Sequence, residues 1–169
     1  QQRMACALKH FPGYGNNVDT HTGIAVDHRP YETFMESDFL PFAAGIEEGA
    51  PMVLVSHNIV NCMDSEHPAS LSPEVHRVLR EDLGFTGLIL TDDLSMEAIP
   101  AYTGGENPCA AAINAGNDLL LSSDLQADYN ALLAAVQDGT VTEERLDESV
   151  LRILAMKCCT QYQLERVVG

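Results

Sequence analysis

Basic residues are scarce in this chain. Nine lysines and arginines stand against 25 aspartates and glutamates in 169 residues, a formal charge of -16. A surface that acidic repels nucleic acid and anionic membrane, so neither is expected as a partner. Long apolar runs are missing as well: none approaches the roughly 20 residues of a membrane span, and residues 1–30 lack the layout of a signal peptide. The five cysteines, Cys6, Cys62, Cys109, Cys158 and Cys159, show neither CxxC spacing nor the density of a disulfide scaffold, which leaves ordinary reduced thiols. Histidine pairs in HxH or HExxH spacing do not occur, so the usual zinc signature is absent. Asn-Gly turns are also lacking, and no hairpin signal joins two of the apolar runs, which argues against an antiparallel fold. The chain opens on Gln1 without an initiator methionine, close to the apolar run Met4 to Leu8, so a piece of a longer protein is expected and the compartment stays open.

What is present is a soluble core: 46% of the residues are hydrophobic, enough for one ordinary domain. Apolar runs suited to buried strands recur at Met4 to Leu8, Met52 to Val55, Leu88 to Leu90 and Leu119 to Leu121. Helical patterning separates them. A helix from about Phe39 to Glu48 is expected to be capped by Ser37 or Asp38 and stopped by Gly49. Ser72-Pro73-Glu74 opens a second helix with a serine cap and proline in the first turn, burying Val75, Val78 and Leu79 and ending at Gly84. A third covers Pro108 to Ala115. The next, Asp124 to Val136, aligns Leu125, Tyr129, Leu132, Leu133 and Val136 on one stripe, and the last aligns Leu146, Val150, Ile153 and Leu154.

Four strand-helix units predict a parallel α/β sheet with right-handed crossovers, either a small doubly wound sheet or half of an eight-stranded barrel. Lys9 and His10, Ser56 and His57, Asp92 and Asp93, and Ser122 and Ser123 each follow a strand. A barrel gathers every strand end around one centre, whereas a doubly wound sheet gathers ligands at a switch point. The barrel is therefore the preferred architecture.

The segment Lys9-His10-Phe11-Pro12-Gly13-Tyr14-Gly15, with Asp19-Thr20-His21 close behind, reads as an active-site loop. An aspartate two residues from a histidine can hold one imidazole nitrogen and leave the other to move a proton. In Asp92-Asp93-Leu94-Ser95-Met96 one carboxylate should face the barrel axis and the other the wall, and Asp92 is the better nucleophile. The plainer alternative is a helix cap from Asp93 and a loop hydrogen bond from Asp92. Lys9, His10 and His57 are expected on the cavity floor, where they would hold a polar ligand. His10, His21, His57 and Asp92 would also suffice for a metal, although no spacing motif supports it. His28, His67 and His76 read as surface residues.

Together KHFPGYG with DTH, then LVSHNIV, then GFTGLILTDDLSM resemble the C-terminal half of the catalytic barrel of glycoside hydrolase family 3, in its bacterial beta-N-acetylglucosaminidase (beta-hexosaminidase) branch. The resemblance covers most of the chain. It implies that residues 1–169 are a partial catalytic domain, the second half of a TIM (β/α)8 barrel. It implies a retaining double displacement in which Asp92 is the nucleophile and His21, paired with Asp19, is the acid and base. Lys9, His10 and His57, with Tyr14 and Met96 beside them, would bind the first sugar. The implied partner is a carbohydrate with terminal beta-linked N-acetylglucosamine, and neither a cofactor nor a metal is implied. Tyr14 departs from the family motif, which usually reads KHFPGHG. The first-half segments that would supply an aspartate and an arginine to sugar recognition are absent, so the isolated chain is expected to be inactive. Unpaired barrel edges would favour self-association. Three alternatives stay open: a catalytically silent half-barrel, phosphorolysis of the same glycosides, and a metal-dependent barrel hydrolase.

Overall fold

The computed structural model describes residues 5–15 and 23–159. Four strands, β1 (Ala7–Phe11), β3 (Met52–Val55), β6 (Leu88–Asp93) and β7 (Leu119–Leu121), form one sheet in the order β1-β3-β6-β7. Every pairing in it is parallel, with Leu8 opposite Val53, Val53 opposite Ile89 and Leu90 opposite Leu119. The strand units therefore lie side by side in chain order, as in half of a barrel. Two of the sequence-predicted strands coincide with observed ones, and two are displaced. Lys9 and His10 lie inside β1 rather than after it, and β6 runs past its apolar run to Asp93. Hydrophobicity marks where a strand is buried, whereas the ladder continues as long as a neighbour offers partners, and Phe11 still pairs with Val55.

Between β1 and β3, α1 (Tyr31–Thr33) runs through a π turn (Phe34–Asp38) into α2 (Phe39–Glu47). The expected start at residue 39 was late by two turns, and Asp38 does not cap it; its carboxylate binds Arg29 instead. Ser72 does cap α3 (Pro73–Arg77), accepting a hydrogen bond from the Val75 amide at 3.2 Å, with Pro73 in the first turn. A second π turn (Val78–Asp82) extends that helix. A short helix that the sequence did not announce, α4 (Ala98–Thr103), precedes α5 (Cys109–Ala115). After β7 come α6 (Leu125–Gln137), capped by Asp124, and α7 (Glu143–Cys159).

A second small sheet was also unannounced. β2 (Val26–Asp27), β4 (Ile59–Val60) and β5 (Asp64–Pro68) pair in the order β2-β4-β5, and β4 and β5 are antiparallel. The sequence Asp-Ser-Glu-His of β5 has no apolar alternation, so no strand signal was available to read.

One apolar cluster joins Phe11, Val53, Val55 and Ile89 of the sheet to Phe39 and Phe42 of α2 and to Val75, Val78 and Leu79. On the opposite face of the strands Leu54, Leu88 and Leu90 are also buried. A cavity at the start of β6 is lined by Leu88 and by Arg152, Ala155 and Met156 of α7. The expected stripe on α6 is half right: Leu132 and Val136 pack with Ala135, whereas Leu125, Tyr129 and Leu133 are exposed. Val150 and Leu154 of α7 are exposed too. His76, expected at the surface, is buried on α3 with Nδ1 2.8 Å from the Ser72 carbonyl. At the strand starts the carboxylate of buried Asp118 accepts from the Ile89 amide, Arg80 and Arg152, and Ser149 of α7 joins them. The floor of the sheet is thus clasped to its last helix by one acid.

Candidate active site

Asp92 and His10 meet where β6 and β1 end. Alternation along β6 puts Leu88, Leu90 and Asp92 on one face and Ile89, Thr91 and Asp93 on the other. Asp92 Oδ2 lies 3.8 Å from His10 Nε2, with side-chain exposures of 21% and 31% respectively. Oδ1 of the same carboxylate accepts from the Asp93 amide at 2.9 Å. Asp92 is therefore oriented yet open to a ligand, as an attacking carboxylate must be. The Tyr14 ring stands edge-on to His10, centroids 5.5 Å apart, and Lys9 is exposed on the preceding position of β1.

Asp93 has a different task. Its Oδ1 accepts from the amide and hydroxyl of Ser95 at 2.9 and 2.8 Å, and its Oδ2 accepts from Ser123 Oγ at 2.5 Å. Burial pushes the Asp93 pKa up, but these hydrogen bonds and the nearby His57 more than offset it, and the carboxyl sits below its ordinary value. Neither a helix cap nor an open acid, Asp93 ties the end of β6 to the loop after β7. Its backbone carbonyl accepts from the Met96 amide at 3.0 Å and from His57 Nε2 at 2.9 Å.

The remaining strand ends are less alike than the sequence implied. Ser56 is buried and its hydroxyl donates to the Phe11 carbonyl at 3.0 Å, tying the end of β3 to β1, while it also touches the Asn58 amide oxygen. His57 and Met96 are both buried, and His57 Nδ1 lies 2.7 Å from Ser70 Oγ. Ser122 turns away to Asp128 of α6. Of the residues expected to act, Asp92, His10 and Tyr14 come together at the strand ends, and Lys9 is exposed next to His10 in β1. Asp19 and His21 lie outside the described residues.

A charged platform under the β1 loop was not foreseen. Arg29 donates to buried Asp27 through Nε at 3.0 Å and Nη2 at 2.8 Å, and to Asp38 through Nη1 at 2.9 Å, while its guanidinium lies 4.3 Å from the Phe34 ring centre. The loop rests directly on it. Gly13 has φ +137° and a side chain there would strike Asp38; Gly15 has φ +52° and a Cβ would come 2.7 Å from Arg29 Cζ. The available signal was the Asp27-x-Arg29 spacing, in which the aspartate also accepts from the Arg29 amide at 2.9 Å.

The family model for the glycosyl hydrolase family 3 N-terminal domain matches residues 1–156. A beta-hexosaminidase from Xylella fastidiosa (strain M12) is 38% identical over 132 residues, which cover 78% of this chain and 39% of that protein. Among solved structures, a family 3 beta-N-acetylglucosaminidase from Paenibacillus sp. str. FPU-7 superposes with a TM-score of 0.85 at 36% identity, covering 90% of this chain and 30% of the other. A beta-glucoside phosphorylase superposes with a TM-score of 0.80 at 32% identity, covering 90% and 30%. The chain thus spans well under half the length of these relatives.

Proposed function

Because this chain belongs to glycosyl hydrolase family 3, we propose that it carries the catalytic groups of a retaining glycosidase that removes terminal beta-linked N-acetylglucosamine. The observation that carries the reading is the division of labour at the end of β6, where Asp92 is open beside His10 while Asp93 is fully engaged. In the first step an Asp92 carboxylate oxygen attacks the anomeric carbon, the bond to the leaving oxygen breaks, and His21, held by Asp19, gives that oxygen its proton. A glycosyl ester on Asp92 results. In the second step His21 takes a proton from water as the water oxygen attacks the same carbon, and the ester bond to Asp92 breaks. Two inversions give net retention. In this reading Lys9, His10 and Tyr14 hydrogen-bond the sugar hydroxyls. His57 and Met96 would then support the subsite from behind.

The names of the hexosaminidase and glucosaminidase relatives support the substrate class. Likeness to a phosphorylase keeps phosphate in view as an alternative to water, since a histidine base does not repel it as a carboxylate would. The test uses the full-length protein with an aryl beta-N-acetylglucosaminide, following the first-formed anomer by NMR with and without phosphate. The beta anomer of free N-acetylglucosamine, lost in Asp92→Ala, is the expected result. An alpha anomer first, or undiminished turnover in Asp92→Ala, removes Asp92 as nucleophile. A sugar phosphate as sole product makes the enzyme a phosphorylase.

A further inference from the structure

His57 follows the end of β3 and is fully buried at 0% exposure, although the sheet beside it has no strand paired to the outer edge of β1 or β7 among the described residues. Asp92 and His10, which face the same strand-end region, keep 21% and 31% of their side chains exposed. A group that a sugar is to touch should resemble those two. His57 instead spans two protein partners, Ser70 Oγ at 2.7 Å from Nδ1 and the Asp93 carbonyl at 2.9 Å from Nε2. A carbonyl oxygen only accepts, so Nε2 carries the hydrogen, and Nδ1 is left to face the Ser70 hydroxyl.

Ser70 is itself immobilised. Its amide donates to the Ser56 carbonyl at 2.9 Å, and its carbonyl accepts from Asn117 Nδ2 at 2.7 Å. The imidazole is therefore a strut from a fixed point to the carbonyl of Asp93, the residue after Asp92. The amide of that same residue, on the other side of its Cα, in turn holds Asp92 Oδ1 at 2.9 Å. We propose that His57 is a positioning residue, which fixes the Asp92–Asp93 backbone so that the nucleophile's carboxylate meets the anomeric carbon, and that it does not touch the sugar. This rests on the reading of Asp92 as nucleophile. Misplacing a reacting group by about 1 Å costs on the order of 100-fold in rate, so a lost strut should appear in turnover and not in binding.

The experiment uses the full-length enzyme with His57→Leu, His57→Gln and Ser70→Ala. In His57→Leu, kcat is expected to fall roughly 10- to 100-fold, with KM and the Kd for N-acetylglucosamine within about threefold of wild type. His57→Gln, whose amide can donate near the Nε2 position, should recover most of that loss. A raised Kd with kcat retained would make His57 a sugar ligand and overturn the proposal; unchanged kinetics would overturn it equally. Should His57→Leu not fold, Ser70→Ala decides, with a smaller fall in kcat alone expected and unchanged kcat ending the proposal. Imidazole ¹⁵N shifts of the wild type separate the two readings. An Nδ1–H tautomer for His57 overturns the strut whatever the activity, whereas an Nε2–H tautomer in a protein that cleaves no glycoside overturns the functional reading alone.

Discussion

At the end of β6 two neighbouring carboxylates enter different surroundings because a strand turns successive side chains to opposite faces. That alternation was legible in the sequence; what Asp93 does was not, since Ser123 comes from a distant loop. Similarly, the burial of His57 was not legible, since its partners Ser70 and Asp93 lie 13 and 36 residues away. Asp92→Ala should abolish turnover while leaving urea stability within about 0.5 kcal/mol of wild type, because the half-open carboxylate supports little of the fold. Asp93→Ala should cost about 1–2 kcal/mol, since Ser95 and Ser123 lose their acceptor. The pH dependence follows from the lowered folded pKa: below that of the unfolded chain, the unfolded state binds more protons, so the contribution of Asp93 is full above the ordinary carboxylate range and is lost as pH falls through the folded value. Urea melts of Asp93→Ala against wild type should therefore converge in acid. If His21 is the general acid, as proposed, His21→Ala should slow glycosides with poor leaving groups about 100- to 10,000-fold and activated aryl glycosides much less. Equal losses on both would make His21 a binding residue.

Elements were legible where composition and geometry agree. Met52–Val55 and Leu119–Leu121 are strands as read, and Ser72 caps α3 as its Ser-Pro-Glu start requires. Legibility failed where tertiary partners act: β5 is a polar strand held by β4, and the helix ahead of β3 begins at Tyr31 without a side-chain cap. The burial of His76 on α3 has a measurable outcome. Burial lowers its pKa despite the hydrogen bond to the Ser72 carbonyl. The unfolded chain then takes up a proton first as pH drops, so stability should be full above about pH 6.5 and decline below it. A His76→Gln variant melted from pH 8 to 5 should lose less stability over that interval than wild type; parallel curves would show that His76 titrates alike in both states. The β1 loop is tied to its platform by glycine. Gly13→Ala forces a side chain into a positive-φ position against Asp38, and a cost of about 1–3 kcal/mol in thermal or urea unfolding is expected.

For the molecule as a whole, the sheet ends in β1 and β7 without partners among the described residues, and α6 and α7 leave Leu125, Tyr129, Leu133, Val150 and Leu154 exposed. Open edges and apolar helix faces favour association. The 169-residue chain alone should run larger than a monomer in size exclusion with light scattering and show no glycosidase activity, because its sheet supplies four of a barrel's eight strands. A compact active monomer would show that four strands suffice. At the other end of the strands, Asp118→Ala in the full-length protein leaves Arg80 and Arg152 without their buried acid and should cost about 3–5 kcal/mol in unfolding. The kcat of the folded fraction should be untouched. The clasp and the proposed chemistry thereby lie at opposite ends of one sheet, and this has an evolutionary reading. Loops at the mouth can be rewritten for a new glycoside without disturbing the clasp around Asp118, and the reserve held there sets how many costly loop changes a lineage accumulates before the protein no longer folds.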